Sequence, residues 1–219
     1  MLAMVLDAAR AAGHDAAYLF SDIHPAFYAQ LGFVELPSRS ISLRADSLSA
    51  ARAPVSPIAA SDAAAVRRCF ERTEALRPWG FVRAPVVWDW IALRNRQGSE
   101  HPSGAFVQLG IRRGKSVIAY VMGVRDPQRD AFVLDEFGFA DLEGRGRIPA
   151  LIRSAAGDLR RITGWLPPEG VRDLLPRGSV RRRTGAIFMM APLSSAGKKL
   201  VERASAPSAG DGVWATDHI

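Results

Sequence analysis

The chain has one cysteine, Cys69, in 219 residues. One thiol cannot form a disulfide within a chain or supply the paired thiolates of a cysteine-based metal site, and so cysteine-poor a chain suits a reducing compartment. The expected location is the cytoplasm. His14, His24, His101 and His218 share no metal-ligand spacing, so no metal is expected. Long apolar runs are also missing. Met1 to Ala12 is apolar, but it has no basic leader, carries Asp7 and Arg10 and is too short to span a bilayer, so neither a targeting segment nor a membrane partner is expected. Acidic residues are in deficit: 22 Asp and Glu stand against 29 Lys and Arg, a net charge of +7. An anionic partner would suit that balance, and much of the excess lies between Arg145 and Arg183. A solvated arginine-rich surface is the commoner origin of such a balance. No aromatic-interleaved basic motif, zinc-finger spacing or helix-turn-helix pattern points to nucleic acid.

The remainder is ordinary globular composition, 48% hydrophobic and 23% charged, enough for one large core or two smaller ones. Leu2, Val5, Leu6 and Ala9 form a helical stripe that stops near Gly13. Ala16 to Phe20 reads as a buried strand. Pro25 opens a second helix that runs to about Leu31 and is stopped by Gly32. Phe33 to Leu36 and Ser40 to Leu43 read as strands. The order so far is helix, strand, helix, strand, strand.

From Ala45 to Pro57 the composition turns to Ala, Ser, Arg and Pro, which marks a linker. Beyond it come a strand at Val55 to Ala59, a helix capped by Ser61-Asp62 that runs to about Glu71, and a helix at Val86 to Asn95. A hairpin, Ala105 to Arg112 and Ser116 to Arg125, turns at Arg113-Gly114-Lys115, and Ala131 to Phe139 adds a strand. Helices at Ile148 to Thr163 and Glu169 to Leu175 and a last strand at Ala186 to Leu193 complete a second set of helices and strands. Two related units in tandem, residues 1–48 and 49–219, are the simplest account, with the first lacking its front.

The stretch Leu19 to Phe33, LFSDIHPAFYAQLGF, resembles the final motif of the GNAT superfamily of N-acetyltransferases: a strand, a helix and Tyr-x-x-x-Gly-Phe, matched by Tyr28, Gly32 and Phe33. Ser21 stands where the family often has Asn. The form SDI-x-P-x-FY is similar to bacterial GNAT proteins of the enhanced-intracellular-survival type, which carry a second GNAT-like unit. The resemblance implies an α/β (α+β) fold of tandem GNAT-like mixed sheets flanked by helices, the first partial. It also implies an acetyltransferase that uses acetyl-CoA as acyl donor and a primary amine as acceptor.

In that chemistry an amine attacks a thioester and the tetrahedral intermediate expels a thiolate, which a nearby phenol can protonate. The resemblance assigns that role to Tyr28 and coenzyme contacts to Ser21, Phe20 and Phe33. His24 is an alternative base, though a cap is the commoner use of a His at a helix start. The terminal carboxylate of Ile219, in a WATDHI ending similar to the tails of these relatives, is another. In the family, the Gly-rich loop that holds the coenzyme's pyrophosphate precedes the first helix, so here it would lie upstream of Met1. In the second unit, DLEGRG at Asp141 to Gly146 has the loop's glycine spacing, but Asp141 and Glu143 bring negative charge, and VRDLLP has no Tyr in the place of Tyr28. A helix start near Arg147, with Pro149 in the first turn, is expected there. The second unit thus reads as a degenerate copy. The rival to the enzyme is a catalytically inactive GNAT-like remnant or accessory binding module, and a sheet edge left open would favour self-association.

Overall fold

Gly13 stops α1 (Leu2–Ala11) as the sequence expects, its N–H bonding to the Arg10 carbonyl at 3.0 Å. In this computed structural model, which describes residues 1–48, 54–77, 79–98, 105–206 and 213–218, the chain divides into two compact units. Among the described residues, the smaller comprises those within Met1–Arg39 and Arg181–Gly212 together with His218; the larger comprises those within Ser40–Val180 and Val213–Asp217. The switch after Arg39 comes earlier in the chain than residue 48.

The smaller unit continues with β1 (Ala16–Ser21), α2 (Pro25–Ala29) and β2 (Val34–Glu35). His24 caps α2, its Nδ1 accepting from the Ala26 N–H at 3.3 Å, and Pro25 takes the first turn, where a missing N–H costs nothing. The helix closes two residues before the expected Leu31. The N–H groups of Leu31 and Gly32 bond back three residues, to Tyr28 and Ala29, and Gly32 takes a φ of +86° that side chains rarely adopt. Between β1 and β2 lies β10 (Ile187–Pro192), antiparallel to both, with Phe20 opposite Phe188 and Val34 opposite Met190. That strand had been expected to close the second unit. Leu6, Phe33, Ile187, Met189 and Ala191 form the core, and α6 (Ser195–Ser205) follows, capped by Ser194.

The larger unit is a mixed seven-stranded sheet flanked by helices, in the order β4-β5-β6-β7-β8-β3-β9. Its strands are β3 (Arg39–Arg44), β4 (Ser56–Pro57), β5 (Ala105–Arg113), β6 (Ser116–Asp126), β7 (Ala131–Phe139), β8 (Arg161–Trp165) and β9 (Ser179–Arg182). The β5–β6 hairpin and β7 match their expected spans closely. Only β7 and β8 pair in parallel among the pairings described. α3 (Ala63–Glu74) packs Val66 and Cys69 against Tyr120 and Met122, while Ala119 and Val121, the alternate residues of β6, join Leu151 and Ile152 of α5 (Leu142–Ala156) in the main core. α4 (Pro85–Gly98) follows α3.

Two expectations fail around α5. The helix begins at Leu142, not near Arg147, because the Asp141 side chain accepts from the Gly144 N–H at 2.9 Å and starts the turn early. It also ends at Ala156. Gly157 stops it with φ +64°, and the segment expected to prolong it instead forms β8, paired with β7 and β3. The expected helix at Glu169 to Leu175 is a single 3₁₀ turn, Arg172–Leu174.

Candidate active site

Each candidate of the Leu19 to Phe33 stretch can now be placed. Tyr28 is half-buried on α2, its ring edge-on to Phe27 at 5.1 Å and to Phe33 at 6.0 Å. Its hydroxyl makes no hydrogen bond among the described residues. Phe33 is only 4% exposed and braces that ring from the core. Ser21, 1% exposed, donates its hydroxyl proton to the Ile23 carbonyl at 2.6 Å, so what remains for a ligand is an acceptor. Phe20 stacks on Phe188 at 5.1 Å and meets the His218 ring at 5.0 Å. β1 is an edge strand, with no partner on its outer side among the described residues. Tyr18, Ile23 and Phe27 nearby are exposed. Ile219 lies outside the described residues.

The second candidate, DLEGRG, is occupied by the chain itself. Asp141 caps α5 and pairs with Arg113 at 2.9 Å, and Arg113 also reaches Glu143 at 3.1 Å. The Gly144 N–H, followed by the Arg113 guanidinium, holds the Asp141 carboxyl below its usual range, so it stays ionised where an incoming phosphate would need positive charge. The glycines have different reasons. A Cβ on Gly144 would lie 2.2 Å from the Ile118 carbonyl oxygen, whereas one on Gly146 would meet nothing within 4 Å. Gly144→Ala should therefore destabilise the protein by more than about 1 kcal/mol, and Gly146→Ala should stabilise it by about 0.5–1 kcal/mol through helix propensity. Urea melts of the two variants check this; similar effects would mean that the backbone contact does not decide Gly144.

Sequence reasoning passed over the acidic pair Asp135-Glu136, although two acids inside an apolar strand were a visible signal. The β6–β7 register shifts there: Met122 faces Glu136 and Gly123 faces Leu134, which leaves Asp135 unmatched in a bulge. Pairing of β7 with β8 stops at Leu134 and Gly164, next to it. Burial raises the Asp135 pKa to about 6, partly offset by Arg94 and reinforced by Glu136. A folded-state pKa above the unfolded one means the native state holds the proton more tightly, so stability falls as pH rises from about 4 to 6. Asp135→Asn should remove that cost, raising stability by up to about 3 kcal/mol near neutral pH and by little near pH 4. Thermal melts at both pH values test it, and equal shifts would sink it.

Glu136 is fully buried, and Arg83 binds it at 2.5 Å, Asp217 at 2.7 Å and Thr216 at 2.8 Å. The Tyr120 and Thr216 hydroxyls also donate to Glu136. Burial alone would lower the Arg83 pKa, but Glu136 and Asp217 more than reverse this, so it stays charged. Burial raises the pKa of Asp217 and of Tyr120. The only thiol, Cys69, is buried and pushed up to about 12, which removes it as a nucleophile near neutral pH. No group of His, Cys, Asp and Glu among the described residues is placed to hold a metal.

No protein-family model matches the sequence, and no curated protein matches it significantly. Solved structures do match. A GCN5-related N-acetyltransferase from Anabaena variabilis superposes with a TM-score of 0.69 at 13% identity, over 90% of this chain and 50% of that one. One from Kribbella flavida gives 0.60 at 20% identity, over 90% and 47%. Eis1 from Mycobacterium abscessus gives 0.53 at 12% identity, over 87% and 50%. The chain thus spans about half the length of these proteins. At such identities the likeness is one of architecture, and it bears out the resemblance first carried by Tyr28, Gly32 and Phe33: the chain has the fold of the GNAT N-acetyltransferases, of the Eis-like kind.

Proposed function

We propose that the protein is an N-acyltransferase that moves an acetyl group from acetyl-CoA to a primary amine, with Tyr28 protonating the departing thiolate. The observation that carries this reading is the state of Tyr28: a ring clamped by Phe27 and Phe33, on a helix started by Pro25, with a hydroxyl that the described residues leave unused. The described residues neither enclose that hydroxyl nor use it, which leaves it open to a ligand. Ser21 contributes an acceptor for an amide N–H of the coenzyme, Phe20 contributes apolar surface, and Phe33, buried in the core, acts by holding the Tyr28 ring instead of touching the coenzyme. Thiol release from acetyl-CoA, followed across a panel of primary amines, tests the reading. Release that depends on an amine supports it, and none with any amine overturns it.

A second reading, a non-catalytic accessory module, draws support from the α5 N-terminus, where Asp141 occupies the place an anion would take. Under either reading the open edge of β1, with exposed Tyr18, Ile23 and Phe27 near it, suits pairing with a second copy of the chain. Among the described residues no helix is long and apolar enough to cross a membrane. A cytoplasmic setting is part of the proposal.

A further inference from the structure

A cavity of about 360 Å³ opens in the larger unit between α3 and α4, above β5 and β6. It does not border the parallel pair β7 and β8, nor does it involve any residue of the smaller unit. A cavity of about 150 Å³ lined by aliphatic and aromatic side chains stays dry and holds a benzene. This one has room for a second fused ring.

Its surfaces are chiefly apolar: Val66 from α3, Trp88 and Ile91 from α4, Phe106 from β5 and Met122 from β6. Of the polar side chains at its wall, Arg67, Asp89, Asn95 and Gln108, only Asn95 of α4 is buried. It is 8% exposed, and among the described residues its Nδ2 has only the weak Met122 Sδ acceptor at 3.7 Å and its Oδ1 has no partner. An unpaired buried amide oxygen costs about 1–3 kcal/mol, and a fold that needed only to fill this space would place a Leu here at no such cost. A carboxamide held so lightly can turn about its last bond to meet a donor. Arg67 and Asp89, also at the cavity, carry opposite charges, and the Arg67 guanidinium lies over the Trp88 ring at 5.7 Å. The lining as a whole is neutral.

We propose that this cavity binds a flat, uncharged aromatic molecule with a single N–H or O–H donor, the ring lying against Trp88 and Met122 and the donor meeting the Asn95 carbonyl. The site would give the larger unit a ligand of its own, separate from acyl transfer and independent of whether Tyr28 is catalytic.

The test is a fluorine NMR titration of the full chain with 6-fluoroindole and with 1-methyl-6-fluoroindole, which has the same ring but no donor. Saturable line broadening by 6-fluoroindole is expected, with binding of the methylated compound at least about fivefold weaker. Asn95→Leu should abolish the difference between the two. Ala92 is exposed and borders the cavity, so Ala92→Trp should block both compounds while leaving the melting temperature unchanged. That arm holds even if Asn95→Leu fails to fold. Equal binding of the two indoles, no saturation by either below about 1 mM, or undiminished binding by Ala92→Trp would each overturn the proposal.

Discussion

Tyr28→Phe should lower kcat for amine acetylation roughly 10²–10⁴-fold while leaving the melting temperature within error of the parent. The effect is specific because the substitution removes one oxygen and nothing else. The ring contacts with Phe27 and Phe33, of a kind worth about 0.5–1.5 kcal/mol per pair, are retained. No hydrogen bond to the described residues is broken, since the hydroxyl makes none. What disappears is the proton delivered to the departing sulfur, so the negative charge that builds there as the tetrahedral intermediate collapses is no longer relieved by a general acid. The loss should fall on kcat, with the KM for acetyl-CoA little changed, because the phenol acts in the transition state and not in ground-state binding. Thiol release by parent and variant, measured side by side with a melt of each, checks the claim. A phenylalanine variant that turns over like the parent would remove Tyr28 from the chemistry.

Arg83→Ala should be the most destabilising single change in the larger unit, at about 3–5 kcal/mol, or a fall in melting temperature of roughly 6–20 °C for a chain of this size. The single guanidinium is the shared counter-charge of two buried acids, Glu136 and Asp217, and lies 3.8 Å above the Phe70 ring. Removing it leaves both acids without a counter-charge. Asp217 also accepts from the Trp214 backbone N–H at 2.9 Å, while the Trp214 indole donates to Glu74 at 3.0 Å, so the segment Val213–Asp217 should loosen with it. Faster amide exchange at Trp214 would report that release. The pH dependence has a definite sign: burial already raises the Asp217 pKa, and with Arg83 gone the charge that opposes this is lost, so the variant should regain stability on acidification. Arg83→Met combined with Glu136→Gln should recover part of the loss, since a neutral pair leaves fewer buried charges unmatched. If Arg83→Ala melts within a degree or two of the parent at neutral pH, the network does not hold the unit together.

The two predictions differ in how far the sequence anticipated them. Tyr28 was found from a stretch of fifteen residues because its neighbours act locally: Pro25 starts a helix, Gly32 ends it, and Phe33 follows one residue later. The β5–β6 hairpin was legible for the same reason, since Gly114 supplies a φ of +60° at its turn. Arg83 had no such neighbourhood. Its partners lie 53 and 134 residues along the chain, and only the packed sheet brings them together.

Short-range chemistry thus settled the start of α2, the stop of α1, the alternation of the long strands and the Tyr28 motif, because caps, turns and proline act over a few bonds. Folding in three dimensions settled Ile187–Pro192 between β1 and β2 and Arg161–Trp165 as a strand and not a helix end, whereas the α5 start was set by a local cap, Asp141, that the sequence reading overlooked. In each case a distant strand or a competing side chain supplied the deciding hydrogen bonds, and a backbone group takes the partner that the whole fold offers it.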